Sequence, residues 1–418
     1  MISNSRISYF QLALLGMIIF MFQSVVVAAP APPLACANPA CTTASSYDLT
    51  LGGTRAIPSI VSGIQFATEP AITTTVQVFN DSQLASELSS PNGKRIQIRG
   101  PSSGGSANYS TQVFFNSGAF QDIWLEMDND VTLTSMVYLG HWDNHSNRPE
   151  RVKITGGNIV TGGDFAVRYV SMDDLIIDNV YIAGQIGIHI GEQIRRFTLI
   201  NSTLEGTGGG WGMMQVVGYG HSDGRIIQDF IIANCRFFTT NGAGEGAGPW
   251  RQWGGHQRFA MVDSYVDRGG AQSIMRYHGD STNWWFENNA WVSTAAPTAW
   301  AQLKFDPDGG TPPPTPDANF PLGPGRILNN KVWHRTWDGP AANNYFSIGG
   351  SGLGQSFLND IVFSGNRVFA VGQTGYAGVT AVSSTVNSLV ATSNNLVYSA
   401  DQPQYEAEPS PLSYGADH

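Results

Sequence analysis

Six short segments, AVRYV, GIHIG, MMQVV, PWRQW, IMRYH and AQLKF, alternate apolar and polar residues and carry the side chains best suited to chemistry. Stacked as strands with period-two alternation, they set Arg168, His189, Gln215, Arg251, Arg276 and Gln302 in one outward column. Two positions further along lie His278 and Lys304, with Trp253 beside them. In the Trp250–Trp253 segment the alternation also permits Gln252 to face outward in place of Arg251, and Tyr277 takes an inward position. His221 and His256 fall in the turns after two of these strands. Arg251, Arg276, His278 and Lys304 would then lie on neighbouring strands, and like charges that close repel unless an anion or a carboxylate offsets them. One reading is a salt-bridged solvent face that uses Asp280, Asp306 and Asp308. The other is a cleft for a polyanion, with Trp211, Trp250, Trp253 and Trp300 nearby as flat surfaces for sugar rings.

The residue types select among reactions. Hydrolysis of a glycosidic bond normally needs two carboxyl groups flanking it, whereas this column is cationic and rich in amides. β-Elimination from a uronic acid polymer has other needs. A cation neutralises the C6 carboxylate and acidifies the C5 proton, a base removes that proton, and an acid protonates the leaving oxygen. Lys304 or His278 is the expected base and Arg276 the carboxylate clamp. Arg168, His189, Gln215, Arg251, Trp253, His221 and His256 are the expected substrate contacts. Asp306 and Asp308, with Asp317, surround a Gly-rich turn and form a candidate Ca²⁺ site, since oxygen ligands in flexible loops suit that ion. A metal-free Asp-Pro-Asp-Gly turn is the alternative. No P-loop or dinucleotide spacing occurs, so neither a nucleotide nor a redox cofactor is expected.

Composition limits the class of protein that could carry such a face. The chain has 418 residues, a net charge of -10 and only 13% charged residues, against a usual share of roughly 25%. Its pI is about 5.2 and no dense Lys/Arg run occurs, which argues against a nucleic-acid partner and makes any local positive cluster informative. Aromatic residues at 11% argue against disorder. Residues 1–29, with Arg6 before an apolar run and Ala28-Ala29 after it, have the pattern of a secretory signal. A retained transmembrane anchor is the alternative reading of that run. Residues 30–74, rich in Pro, Ala and Ser at their start, are expected to form a linker or extension. The mature chain is expected to be secreted or periplasmic, monomeric and not inserted in a membrane. The 3 cysteines suit an exported protein that does not depend on disulfides.

The elements that must position the column come from a repeat. Octets align as KITGGNIV, DLIIDNVY, FTLINSTL, FIIANCRF, FAMVDSYV, WWFENNAW, GRILNNKV, IVFSGNRV and VATSNNLV. Their sixth position reads Asn158, Asn179, Ser202, Cys235, Ser264, Asn289, Asn330, Asn366 and Asn395, all small and able to hydrogen-bond. The spacing between octets is irregular, which suits a solenoid whose coils share a minimum circumference and let loops bulge outward. Amides stacked at the ~4.8 Å strand spacing can form a ladder at a bend. There Cys235 is expected to be a buried filler rather than a reactive thiol.

On these residues the chain resembles the right-handed parallel β-helix superfamily, which includes pectate lyases and their relatives, over roughly residues 75–400. The resemblance implies an all-β, single-stranded solenoid with an N-terminal helical cap. Asp81-Ser82-Gln83-Leu84 opens an amphipathic stretch, with Leu84 and Leu88 on one face, that fits the cap. Residues 401–418 read as a C-terminal tail. The resemblance also implies a carbohydrate-active enzyme, with a lyase favoured and an epimerase, a hydrolase or a non-catalytic adhesin as alternatives. Single-activity motifs of the superfamily do not match. Gly220-His221-Ser222 only echoes a hydrolase Gly-His-Gly, Arg276 precedes Lys304 where lyases of this fold have the reverse, and Asp306-Pro307-Asp308-Gly309 lacks the histidine of the epimerase motif.

Overall fold

Each octet ends one strand, bends at its polar residue and opens the next, and the coils so formed stack in parallel register. The computed structural model describes Tyr47–Leu49, Gly53–Arg55 and residues 63–141, 147–163 and 165–206. Further on it describes 214–217, 227–239, 250–253, 256–267, 275–278, 281–293, 303–306, 324–334, 346–348, 360–370, 380–382, 389–392 and 395–398. The segment expected as a signal, 1–29, the expected tail 401–418, His221, Gln302 and Asp308 lie outside the described residues.

The chain is a parallel β-helix with three faces. The first holds Gln121–Met127, Glu150–Thr155, Ile227–Ala233, His256–Val262 and their equivalents, each paired in parallel with the next coil. The second holds Val137–Gly140, Met214–Val217, Trp250–Trp253, Met275–His278 and Leu303–Asp306. The long strands Phe165–Asp178 and Ile186–Ile200 bend from the second face into the first. Among the described residues the third face is an 11-stranded sheet. The core runs along the axis, because every other residue of each strand points inward. On the first face Phe197, Phe230, Phe259 and Trp284 occupy one inward column, with ring centroids 4.6 Å apart for the first pair and 5.4 Å for the second. Opposite Trp284 stands Gly325, where an added Cβ would lie 2.1 Å from the indole, so the largest side chain of the column is matched by the smallest.

The expected ladder exists at the bend between the first and third faces, with its ends shifted. Ser202, Cys235, Ser264, Asn289, Asn330 and Asn366 stack and are all buried. Each backbone N–H donates one coil onward: Val180 to Ser202 Oγ, Cys235 to Ser264 Oγ, Ser264 to Asn289 Oδ1, Asn289 to Asn330 Oδ1 and Asn330 to Asn366 Oδ1, over 3.0–3.2 Å. Cys235 is fully buried and burial pushes its thiol up to about 12, so it is an inert member of the column. Asn158, Asn179 and Asn395 stand one residue off. Asn158 pairs with Tyr181 and Asn395 with Arg367, beyond the bend, while Asn179 lies just before it with φ 57°. Asn179 thereby joins Asn201, Asn234, Asp263, Asn288 and Asn329, all left-handed, as asparagine and aspartate tolerate that region best.

A second ladder lies at the bend into the first face. Asp122, Arg151, Asp174, Arg196, Asp229 and Arg258 occupy successive coils, alternate in charge and are all left-handed, with φ from 52° to 59°. Arg151, Arg196 and Arg258 each make a two-pronged pair with the aspartate one coil earlier, at 2.5–3.0 Å. These aspartates also anchor residues 63–71, which climb the outside of the first face. The N–H groups of Gln65, Thr68 and Ala71 donate to Asp229, Asp174 and Asp122 at 3.1, 2.7 and 2.9 Å. Three extended residues span about 10 Å and two rungs about 9.6 Å, so every third amide meets every second coil. Ile64 is buried against Ile200, Ile231, Ala260 and Val262, and Glu69 pairs with Lys153 at 2.9 Å. The stretch expected as linker thus includes a docked strap; its anchors are backbone amides, which composition does not reveal. Upstream, Tyr47–Leu49 pairs antiparallel with Gly53–Arg55.

The helix Asp81–Leu88 is present, capped by Asn80, whose side chain accepts the Gln83 N–H at 3.0 Å. It inserts between the first rung strand Thr74–Val78 and the next, Lys94–Ile98, rather than preceding the coils, and buries Leu84 against the core.

Asn330→Ala removes the acceptor of two Asn289 donors and leaves buried groups unmatched, so it should destabilise by roughly 3 kcal/mol, whereas Asn158→Ala at its half-exposed position should cost about 1 kcal/mol or less. Urea unfolding of both variants gives the comparison, and equal losses would refute the ladder shift. For the strap, Asp229→Ala should speed amide hydrogen exchange at Gln65 while leaving exchange in Gln121–Met127 unchanged.

Candidate functional site

The second face presents the expected column as one continuous ladder. Cα register runs Phe114, Tyr138, Arg168, His189, Gln215, Arg251, Arg276, Lys304 and Ser347. Arg251, not Gln252, occupies the ladder position, because Gln252 pairs with Tyr277 and Val216. The last two rungs differ from expectation. Lys304 stands opposite Arg276, in the place expected for Gln302, and His278 stands opposite Asp306. Period-two alternation keeps the same face after a slip of two residues, so the pattern alone does not separate the two registers. Trp253 ends its strand opposite Val217. The structure therefore brings Arg251, Arg276 and Lys304 onto three successive rungs and sets His278 two positions away, beside an aspartate.

The described side chains at the other end of the ladder form an aromatic and cationic surface. Phe114 is 47% exposed and its ring lies 5.0 Å from that of Tyr138. The Arg168 guanidinium lies 5.4 Å from the Tyr138 ring centre and 5.6 Å from that of Phe165, close enough for cation–π attraction. Phe165 in turn packs against His189 at 4.9 Å. His189 is buried, and burial together with the Arg168 charge lowers its pKa from 6.5 to about 4. It is a neutral imidazole at ordinary pH and adds no charge to the column. Phe114 and Tyr138 escaped the sequence reading because their coils precede the first octet, although the alternation in Val137–Gly140 carries the signal.

His256 does not belong to this face. It opens the first-face strand His256–Val262, is fully buried, and its ring lies 5.7 Å from both Phe230 and Phe259. The turn expected around it is a bend into the barrel, so the imidazole packs inward among aromatic rings. Asp306 closes the strand Leu303–Asp306. Among the described residues no group of three or more His, Cys, Asp or Glu side chains could hold a metal ion. Among them also, no helix is long and apolar enough to cross a membrane.

No protein-family profile matches the chain, and no curated protein matches it. Among solved structures, the surface adhesin PfbA of Streptococcus pneumoniae is similar at 11% identity and a TM-score of 0.37, over 76% of this chain and 85% of that one.

The His189 shift has a signed consequence. The unfolded chain binds a proton near pH 6.5 and the folded chain only near pH 4, so folding stability is complete above pH 6.5 and declines as pH falls through this window. At about 1.4 kcal/mol per unit the loss by pH 4 is roughly 3 kcal/mol. His189→Gln, uncharged throughout, should flatten the stability profile between pH 6.5 and 4; an unchanged acid limb in urea titrations would place the effect elsewhere.

Proposed function

We propose that this is an exported protein that binds an acidic polysaccharide along the second face and cleaves it by β-elimination. The observation that supports this reading is the register of Arg251, Arg276 and Lys304 on successive rungs. Rungs about 4.8 Å apart concentrate positive charge on a chain of net charge -10, and a polymer with regularly spaced carboxylates is the natural counter-charge.

In this proposal Arg276 clamps the C6 carboxylate and acidifies the C5 proton, Lys304 removes it as the C4–O bond breaks to leave a C4=C5 double bond, and the leaving oxygen takes a proton from solvent water. Lys304 stands one rung from Arg276, next to the position where the clamped sugar would present its C5 proton. His278, paired with Asp306, is the weaker choice, because it stands two positions off the column of Arg251, Arg276 and Lys304. Gln215, Arg251, Trp253 and Arg168 extend the contact to neighbouring sugars. His221 remains a proposed contact and Ca²⁺ at Asp306 and Asp308 a proposed cofactor. The segment 1–29 would direct the chain to the periplasm or outside the cell.

A binding module without turnover is the second reading. It is favoured by the described end of the ladder, where Phe114, Tyr138 and Arg168 offer rings and a cation with no acid or base among them.

Incubation with alginate, pectate, glucuronan and chondroitin, with calcium or chelator, separates the two. Unsaturated-uronate absorbance rising together with reducing ends is the expected outcome on one polymer. Lys304→Ala should lower turnover roughly a hundredfold or more while leaving affinity within a few-fold. Affinity without absorbance on any polymer would establish the binding module instead, and a loss of activity in chelator would assign the metal.

A further inference from the structure

A separate cavity of about 240 Å³ opens on the first face, lined by Trp124, Glu126, Lys153, Thr155 and Asp178 among others. Glu126, Thr155 and Asp178 share one ladder position on three successive coils. Two rungs set the Glu126 and Asp178 backbones roughly 9.6 Å apart. A pair of carboxyl groups that cleaves a glycosidic bond with inversion is separated by roughly 6.5–9.5 Å, and a retaining pair by about 5–5.5 Å. The residue between them is a threonine, which lines the cavity with them and whose hydroxyl is held by the Trp124 indole N–H at 2.8 Å.

The two carboxyl groups have different surroundings. Glu126 is ion-paired with Arg95 and also accepts from the Gln97 amide at 3.1 Å. Asp178 is buried, with one oxygen accepting from the Asn201 amide at 2.9 Å. Burial raises its pKa from 3.8 to about 7 against the pull of Asn201 and Lys153. Two carboxyl groups with such unlike environments divide naturally into an acid and a base. The cations of the cavity are already matched, Arg95 by Glu126 and Lys153 by Glu69 of the strap. A neutral sugar therefore fits better than a uronate, and a cavity of this size takes the end of a chain rather than its middle.

We propose that this cavity is a second, hydrolytic site, in which Asp178 and Glu126 cleave a terminal neutral glycoside with inversion at C1. Asp178 gives its proton to the glycosidic oxygen as the C1–O bond breaks. Glu126 takes a proton from a water molecule whose oxygen bonds to C1 from the opposite face. The leaving sugar departs as an alcohol, and exchange with solvent returns each carboxyl group to its starting state. Thr155 and Trp124 position the sugar between them. The site shares no residue with the second-face ladder, so either can fail without the other.

The test uses a panel of 4-nitrophenyl glycosides and the matching disaccharides of neutral sugars, with the anomer formed first followed by NMR. Hydrolysis with inversion is expected. Asp178→Asn should slow the disaccharides roughly a hundredfold or more but the 4-nitrophenyl substrates far less, because that leaving group departs without a proton. Glu126→Gln should slow both. Activity should fall as pH rises through about 7, where Asp178 loses its proton. Both substitutions are near-isosteric; should Asp178→Asn fail to fold, Glu126→Gln and the pH profile decide. Absence of hydrolysis across the panel, hydrolysis indifferent to Glu126→Gln, or retention of configuration would each overturn the proposal.

Discussion

Parallel stacking at about 4.8 Å requires each coil to satisfy its neighbour's backbone groups at every bend as well as along every strand. Strand amides meet this requirement automatically. Bend amides do not, because the chain changes direction there and the ladder is interrupted. The polar column at the bend between the first and third faces supplies the missing acceptors, with each side chain taking the N–H of the coil before it. The charge-alternating column at the bend into the first face adds a second tie, from arginine to the aspartate one coil earlier. A buried bend without such partners would leave unmatched groups costing roughly 1–3 kcal/mol each, repeated on every rung.

The same register carries the chemistry. A residue type repeated at one rung position becomes a column, so modest local sequence produces a dense surface feature. Aspartates at alternate bends become a rail with a two-rung period that an extended strand of main chain can follow, and residues 63–71 follow it. Arg251, Arg276 and Lys304 fall on successive rungs of the second face. Glu126 and Asp178 on the first face become a pair separated by one threonine. Stacking also explains why histidines from similar sequence contexts have different fates: His189 lies on the outer column beneath Phe165, while His256 sits at an inward bend among phenylalanines.

Some features were legible without coordinates because they are periodic. The buried Ser202–Asn366 ladder and the second-face column from Arg168 to Arg276 follow from alternation and from recurring small polar residues. Other features leave no periodic trace. Asn158, Asn179 and Asn395 match the octet pattern yet stand one residue away from the ladder: Asn179 takes the left-handed position before the bend, while Asn158 and Asn395 open the strand beyond it. The strap is held through backbone N–H groups, which all residues but proline possess. The acid pair is invisible in the alignment because Glu126 precedes the first octet and Asp178 fills the fifth octet position, where Asn201, Asn234, Asp263, Asn288 and Asn329 also stand.

The amino-acid sequence by itself determined the class of architecture, since octets of apolar residues punctuated by small polar ones can bury their core only by stacking in parallel. It also determined which residue types reach the outer columns. The tertiary structure alone decided which residues meet. A slip of two preserves every inward and outward assignment, and the pairing of Met275 with Leu303 and of Tyr277 with Phe305 is the register that sets Lys304 opposite Arg276. It decided as well which polar groups lose water, as at Asp178 and His189, because desolvation depends on what the neighbouring coils and the strap cover, and those neighbours are distant in sequence.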